Sequence, residues 1–222
     1  MTHVRPDANN GFGALLPTDA ILIVNARAAA EFQGLLRAAT GKAPTIIAVN
    51  EKAVIVGKAQ TLEVHAAAGP AQSDSDLWVW APSSAVVYVG DLVTSMRCPI
   101  TFDPAADPTV WLGVLDKIEA VHPRALVSTQ GPATTEAAGE IGRTRSYLKR
   151  LLDFLREMKA KKAPEARISG ELFAKKLGGY CPFELDTKNA LELYRRMKAD
   201  GTFAPPKPAT PPAPAPTPGP RK

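Results

Sequence analysis

Five aspartates stand in turn-like settings in the middle of the chain: Asp74, Asp76, Asp91, Asp103 and Asp107. Carboxylates gathered in space are hard oxygen ligands, and a set drawn from these five would suit Mg²⁺ or Ca²⁺ rather than zinc. Acidic residues in turns more often cap helices or bond nearby backbone, which is the reading adopted for them. Other reactive groups lack companions. Cys98 precedes Pro99 without a histidine to activate it, Ser73 lacks a strand-turn-helix elbow, and no glycine-rich phosphate loop follows a strand pattern. The three histidines are scattered: His3 in a polar lead-in, His65 on an alternating segment, and His122 beside Pro123 at a helix end. Each reads as structural or solvated.

The elements that must position these residues follow from periodicity and punctuation. Residues 11–16 and 20–24 are apolar runs separated by Pro17-Thr18-Asp19, and read as an antiparallel hairpin. Phe32, Leu35, Leu36 and Ala39 recur at helical spacing ahead of Gly41, and the β-branched run 45–49 follows, giving a strand, helix, strand unit. Alternation marks four more strands, at 54–56, 61–65, 77–80 and 85–89. Asp107-Pro108 predicts an N-cap with proline in the first helical turn, opening a helix with Val110, Trp111, Val114, Leu115 and Ile118 on one face. Residues 125–127 read as a buried strand, 135–161 as a long amphipathic helix, and 170–177 and 187–199 as two closing helices. Trp78 and Trp80 alternate with Leu77 and Val79, so one pair faces the core and the other a helix layer or a partner. Such a pattern implies a sheet layer covered by helices.

Three segments, Gly69-Pro70-Ala71-Gln72-Ser73-Asp74-Ser75-Asp76, Gly90-Asp91 and Ser128-Thr129-Gln130-Gly131-Pro132, resemble the motifs of metallo-β-lactamase-type hydrolases. The resemblance extends in order over most of residues 11–199. It implies an α/β fold, an α+β sandwich of truncated αββα architecture. It also implies an ester, thioester or lactam hydrolase, in which two zinc ions held by histidines and aspartates lower the pKa of a bound water. The ligands are where this chain departs. Strand 45–49 runs into Asn50-Glu51-Lys52 where the family has a His-x-His-x-Asp-His loop, and Asn25 stands where a strand usually ends in aspartate. Gln72 and Gln130 occupy positions where the motifs imply histidine, and among the expected ligands Asp91 alone remains. An amide is a much poorer zinc donor than imidazole, and one carboxylate cannot hold a transition metal against water. The resemblance therefore implies no catalytic residue, no metal ligand and no cofactor, and leaves a vestigial pocket of Gln72, Asp76, Asp91 and Gln130.

Composition supports a globular core with appendages. The chain has 222 residues, 45% of them hydrophobic, and a net charge of +5 concentrated in residues 143–162 and at Arg221-Lys222. Tyr147 and Phe154 are the only aromatic residues among those charges, too few for a base-stacking platform, so the charges read as a solvated helix face and not a nucleic-acid footprint. No apolar run approaches the roughly 18 residues of a membrane span. Two cysteines cannot build a disulfide framework. Cys98 and Cys181 therefore read as semi-buried thiols in a reducing, cytoplasmic compartment, with a single bridge as the alternative. Nine of the 21 prolines fall in residues 202–222, so a flexible lead-in (1–10) and a disordered proline-rich tail (202–222) are expected to flank a domain over 11–201. The resulting expectation is a non-catalytic subunit that forms a homodimer or binds a protein partner. A hydrolase with a rebuilt metal site and a small-molecule sensor using the old pocket are the alternatives.

Overall fold

The computed structural model describes residues 20–41, 45–99, 104–175 and 181–200. Strand β1 (Ile21–Asn25), a single 3-10 turn, helix α1 (Ala29–Thr40) and strand β2 (Thr45–Val49) form the first unit. Gly41 ends α1 in the left-handed region at φ 71°, where its N–H reaches the Arg37 carbonyl at 2.9 Å, and glycine enters that region without a Cβ penalty. β1 and β2 pair in parallel from Ile21 opposite Thr45 to Asn25 opposite Val49, as a helical crossover allows. The run 11–16, read as the other half of a hairpin, lies outside the described residues.

A five-stranded sheet follows in spatial order β3 (Lys52–Val56), β4 (Thr61–Ala66), β5 (Leu77–Ala81), β6 (Val86–Gly90) and β7 (Ala125–Ser128). The first four strands are antiparallel; β7 joins parallel to β6 after the crossover helix α2 (Pro108–Ala120). Asp107 caps α2 as the sequence implies, its carboxylate accepting from the N–H groups of Thr109 at 2.8 Å and Val110 at 3.3 Å. Helices α3 (Ala137–Ala160), α4 (Glu165–Lys175) and α5 (Phe183–Asp200) complete the described chain. The last two begin several residues before periodicity suggests. Pro164 and Pro182 start them, their carbonyls accepting from Arg167 and from Leu185 and Asp186.

Three hydrophobic clusters define four layers, in the order αββα. Leu22 and Val24 of β1 meet Phe32 and Leu36 of α1. Between the sheets lie Val49, Val64, Ala66 and Leu77, with Ile23, Ala53 and Val79 packed against them. Trp78, Trp80, Val87, Val89 and Leu126 face the helix layer, where Trp111, Leu115, Ile141, Leu148 and Leu155 cover them. Trp78 and Trp80 thus pack into the large core while Leu77 faces the small sheet, which is the pleat's period of two made visible.

One sequence reading is corrected. Cys98 and Cys181, read as thiols, are joined in a disulfide across 83 residues, with Cα atoms 4.8 Å apart. A buried polar network brings the two segments together. The Tyr147 hydroxyl donates to Asp186 at 2.8 Å, and the Asn189 amide donates to Tyr147 Oη and to the Pro99 carbonyl, each at 2.7 Å. Disulfides persist in oxidising environments, so the cytoplasmic expectation, which rested on reduced cysteines, loses that basis. Among the described residues no helix is long and apolar enough to cross a membrane.

Candidate functional site

Two loops at the same ends of their strands carry the four residues singled out from the sequence. The first, between β4 and β5, folds around the Asp76 carboxylate. Oδ2 accepts from the N–H groups of Gln72 at 2.9 Å and Ser73 at 2.8 Å, and Oδ1 accepts from the Ser73 hydroxyl at 2.9 Å. The loop is also clamped from β1: the Asn25 amide donates to the Asp76 carbonyl at 3.1 Å. Arg27 spans the loop, donating from Nε to the Asp74 carbonyl at 2.6 Å and from a terminal nitrogen to the carbonyls of Ala67 and Gly69 at 3.1 and 3.0 Å. Asn25, where the related pattern has aspartate, therefore braces a loop through its amide and, through Oδ1, accepts from Arg27 N–H at 3.0 Å. Gln72 is fully buried and Asp76 nearly so. Burial pushes the Asp76 carboxyl up to about 7, against the opposing pull of the donors from Ser73, Gln72 and Ala71. Burial also lowers the Arg27 guanidinium from its ordinary value, with Asp74 and Asp76 acting the other way.

The second region joins the end of β6 to the turn after β7. The Ser128 hydroxyl donates to the Gly90 carbonyl at 3.1 Å, and Thr129 donates its hydroxyl in a short bond to Asp91 Oδ1. Gln130 N–H donates to Ser128 Oγ at 2.9 Å, and its carbonyl accepts from Ser95 N–H at 2.9 Å. Gly131 follows at φ 109°, and a Cβ there would stand 1.9 Å from the Ser95 carbonyl oxygen, so this contact admits only glycine. Trp111 Nε1 donates to the Leu92 carbonyl at 2.8 Å, fixing the start of the segment that follows Asp91. The structure thus brings Gln72 together with Asp76, and Asp91 together with Thr129 and Gln130. Gln72, Asp76 and Asp91 are each closed off from solvent, while Gln130 is partly exposed.

These groups do not fit the dinuclear zinc centre that the resemblance implies. Both Asp76 oxygens serve their own loop, Asp91 is held by a threonine hydroxyl, Asp107 caps a helix, and Asp74 is exposed. Asp103 lies outside the described residues. Among the described residues no three His, Cys, Asp or Glu side chains cluster as metal ligands would. His65 stacks on Trp78 with ring centroids 4.0 Å apart and bonds Glu63 at 3.1 Å; burial lowers its pKa. His122 is exposed at the end of α2.

A shallow cleft of about 370 Å³ opens beside the second region, lined by Met96, Thr134, Glu136, Glu140 and Arg143. One of its lining residues is Glu140, a carboxylate on α3 buried to 2% exposure and paired with Arg143. The Glu140 carboxylate also accepts from Met96 N–H at 3.3 Å, holding the segment after Asp91 against α3. Sequence reading missed Glu140 and Arg27. Glu140 falls between Ala137 and Thr144 on the buried stripe of α3, and an acid on an apolar stripe is a usable signal. Arg27 offers none, because its partners are backbone carbonyls 40 or more residues away.

The sequence matches no protein-family model and no curated protein. The fold does have solved counterparts. It is similar to a metallo-β-lactamase from Pontibacter korlensis, at 18% identity and a TM-score of 0.53, over 67% of this chain and 66% of that one. It is similar to a metallo-β-lactamase family protein from Thermus thermophilus, at 14% identity and a TM-score of 0.53, over 81% of this chain and 68% of that one. It is also similar to a stereoselective inverting sec-alkylsulfatase from Pseudomonas sp., at 14% identity and a TM-score of 0.53, over 70% of this chain but 26% of that one. The chain thus spans just under two thirds of the first of these proteins and about a quarter of the third. It has the metallo-β-lactamase fold.

Proposed function

We propose that this chain uses the metallo-β-lactamase fold without its hydrolytic chemistry and acts by binding, as a homodimer or as a subunit of a protein assembly. The observation that carries this reading is the occupation of the site itself. Where the fold's hydrolases place metal ligands, Gln72 and Gln130 offer neutral amides and Asp91 is bonded to Thr129, while the neighbouring Asp76 spends both oxygens on its own loop. A catalytic zinc needs three protein ligands and an open position for water, and the buried, mutually bonded groups supply neither. The carboxyl groups that survive do structural work, which explains how the loops keep their form without a metal. The proline-rich segment 202–222 serves in this reading as a spacer, since it has no strong flanked Pro-x-x-Pro ligand pattern. Nucleic acid and membrane are not among the partners proposed.

Hydrolysis assays test it. Ester, thioester and lactam substrates should show no turnover above buffer, with or without added Zn²⁺, Mg²⁺ or Ca²⁺. Metal-dependent turnover that disappears in Asp91→Ala would overturn the reading in favour of a rebuilt hydrolase.

A further inference from the structure

Strand β3 ends the five-stranded sheet, and among the described residues nothing pairs with its outer side. Exposed edges are normally blunted by charge, proline or a bulge, because their free N–H and C=O groups template further pairing. β3 reads Lys-Ala-Val-Ile-Val and has none of these guards along its middle: Val54, Ile55 and Val56 are 53%, 37% and 80% exposed. Its one charge, Lys52, is at the far end and is drawn to Glu63 of the neighbouring strand at 2.9 Å.

The hydrogen-bond parity of the edge is fixed by its inner side. Glu51 C=O accepts from Ala66 N–H at 2.8 Å and Gly57 N–H donates to the Gln60 carbonyl at 3.0 Å, so odd-numbered residues bond inward to β4. Lys52, Val54 and Val56 therefore present their backbone groups outward. An antiparallel copy of the same strand centred on Val54 sets Val54 opposite Val54 and Lys52 opposite Val56. The outward residues of one copy then meet the outward residues of the other. One N–H from each of three residues on two strands gives about six new bonds across a two-fold axis. Valines meet on one face and Ala53 meets Ile55 on the other. The two Lys52 residues stay about 14 Å apart along the strands, four residues at roughly 3.4 Å each, beyond the screening length of about 10 Å.

From this self-complementary register we infer that β3 is the surface through which two copies of this chain associate, joining their five-stranded sheets into one continuous sheet. The inference rests on the binding reading above and supplies its contact. A five-residue edge pair is smaller than a standard stable interface, so the association is weak, in the micromolar range.

Sedimentation velocity of the full chain at about 1 to 100 micromolar, in wild type and in two variants at Val56, tests it. Val56 is 80% exposed, so neither variant should disturb the fold, and thermal melts verify this. Val56→Lys sets lysine against Lys52 of the other copy twice, and weakens dimerisation about tenfold or more. Val56→Glu sets glutamate against the same lysines and tightens it about threefold to tenfold. Opposite responses to the two charges identify the register. Dimers indifferent to both variants, or weakened equally by both, overturn the edge contact while leaving a binding role intact. A wild type that stays monomeric throughout overturns the edge contact and removes the homodimer form of the proposed function as well.

Discussion

The Asp76 carboxylate organises its loop from a buried position, and its energetic signature is a dependence of stability on pH. Burial raises its folded pKa to about 7, above the ordinary carboxylate range of the unfolded chain. The folded protein therefore holds this proton more tightly than the unfolded one. The stabilisation is fully present below about pH 4 and is lost as pH rises toward 7. At about 1.36 kcal/mol per pH unit, an interval of roughly three units amounts to about 4 kcal/mol. Asp76→Asn removes the titration while keeping one acceptor oxygen. Its cost at every pH includes an amide nitrogen turned toward one set of donors, at about 1–3 kcal/mol for each buried donor left unmatched. Urea unfolding of wild type and Asp76→Asn at pH 4.5 and 7.5 isolates the site, because other carboxylates titrate alike in both proteins. Wild type should exceed the variant by about 3–4 kcal/mol more at the lower pH than at the higher. A difference in stability that is the same at both values would refute the assignment of Asp76 as a buried, proton-binding loop clasp.

Three further outcomes follow from backbone contacts and the cross-link. Gly131→Ala forces a Cβ into the Ser95 carbonyl, and should destabilise the fold by about 2–4 kcal/mol in chemical denaturation. Gly142→Ala, with nothing within 4 Å of the added Cβ, serves as its control and should be neutral or stabilising. Reducing the Cys98–Cys181 bond opens an 83-residue loop and should lower stability by about 2–5 kcal/mol, read as a fall in the denaturation midpoint with reductant.

Most of the layered fold was legible in the sequence because alternation and helical spacing report directly on which face is buried. Trp78 and Trp80 against Leu77 and Val79 fixed the two faces of β5, and Asp107-Pro108 fixed the start of α2. The starts of α4 and α5 were read late because acids and apolar residues mix in their first turns, Glu165-Ala166-Arg167-Ile168 and Phe183-Glu184-Leu185-Asp186, so no apolar stripe stands out there. There the informative signals were Pro164 and Pro182, not periodicity. The motif resemblance singled out Gln72, Asp91 and Gln130 but said nothing of their bonding: Asp76 as a backbone acceptor is set by the local turn of its loop, and the Arg27 clamp and the Glu140 anchor depend on contacts between distant segments. The disulfide stood in the sequence only as the alternative to free thiols, since a separation of 83 residues gives no geometric hint that two Cα atoms will stand 4.8 Å apart.

Zinc content measures the central claim most directly. Elemental analysis of the full chain, purified without added metal or chelator and then dialysed against excess Zn²⁺ and desalted, should find far less than one zinc per chain in both preparations. One or two tightly held zinc ions per chain, lost in Asp91→Ala, would contradict the account and return the protein to the hydrolases whose fold it shares.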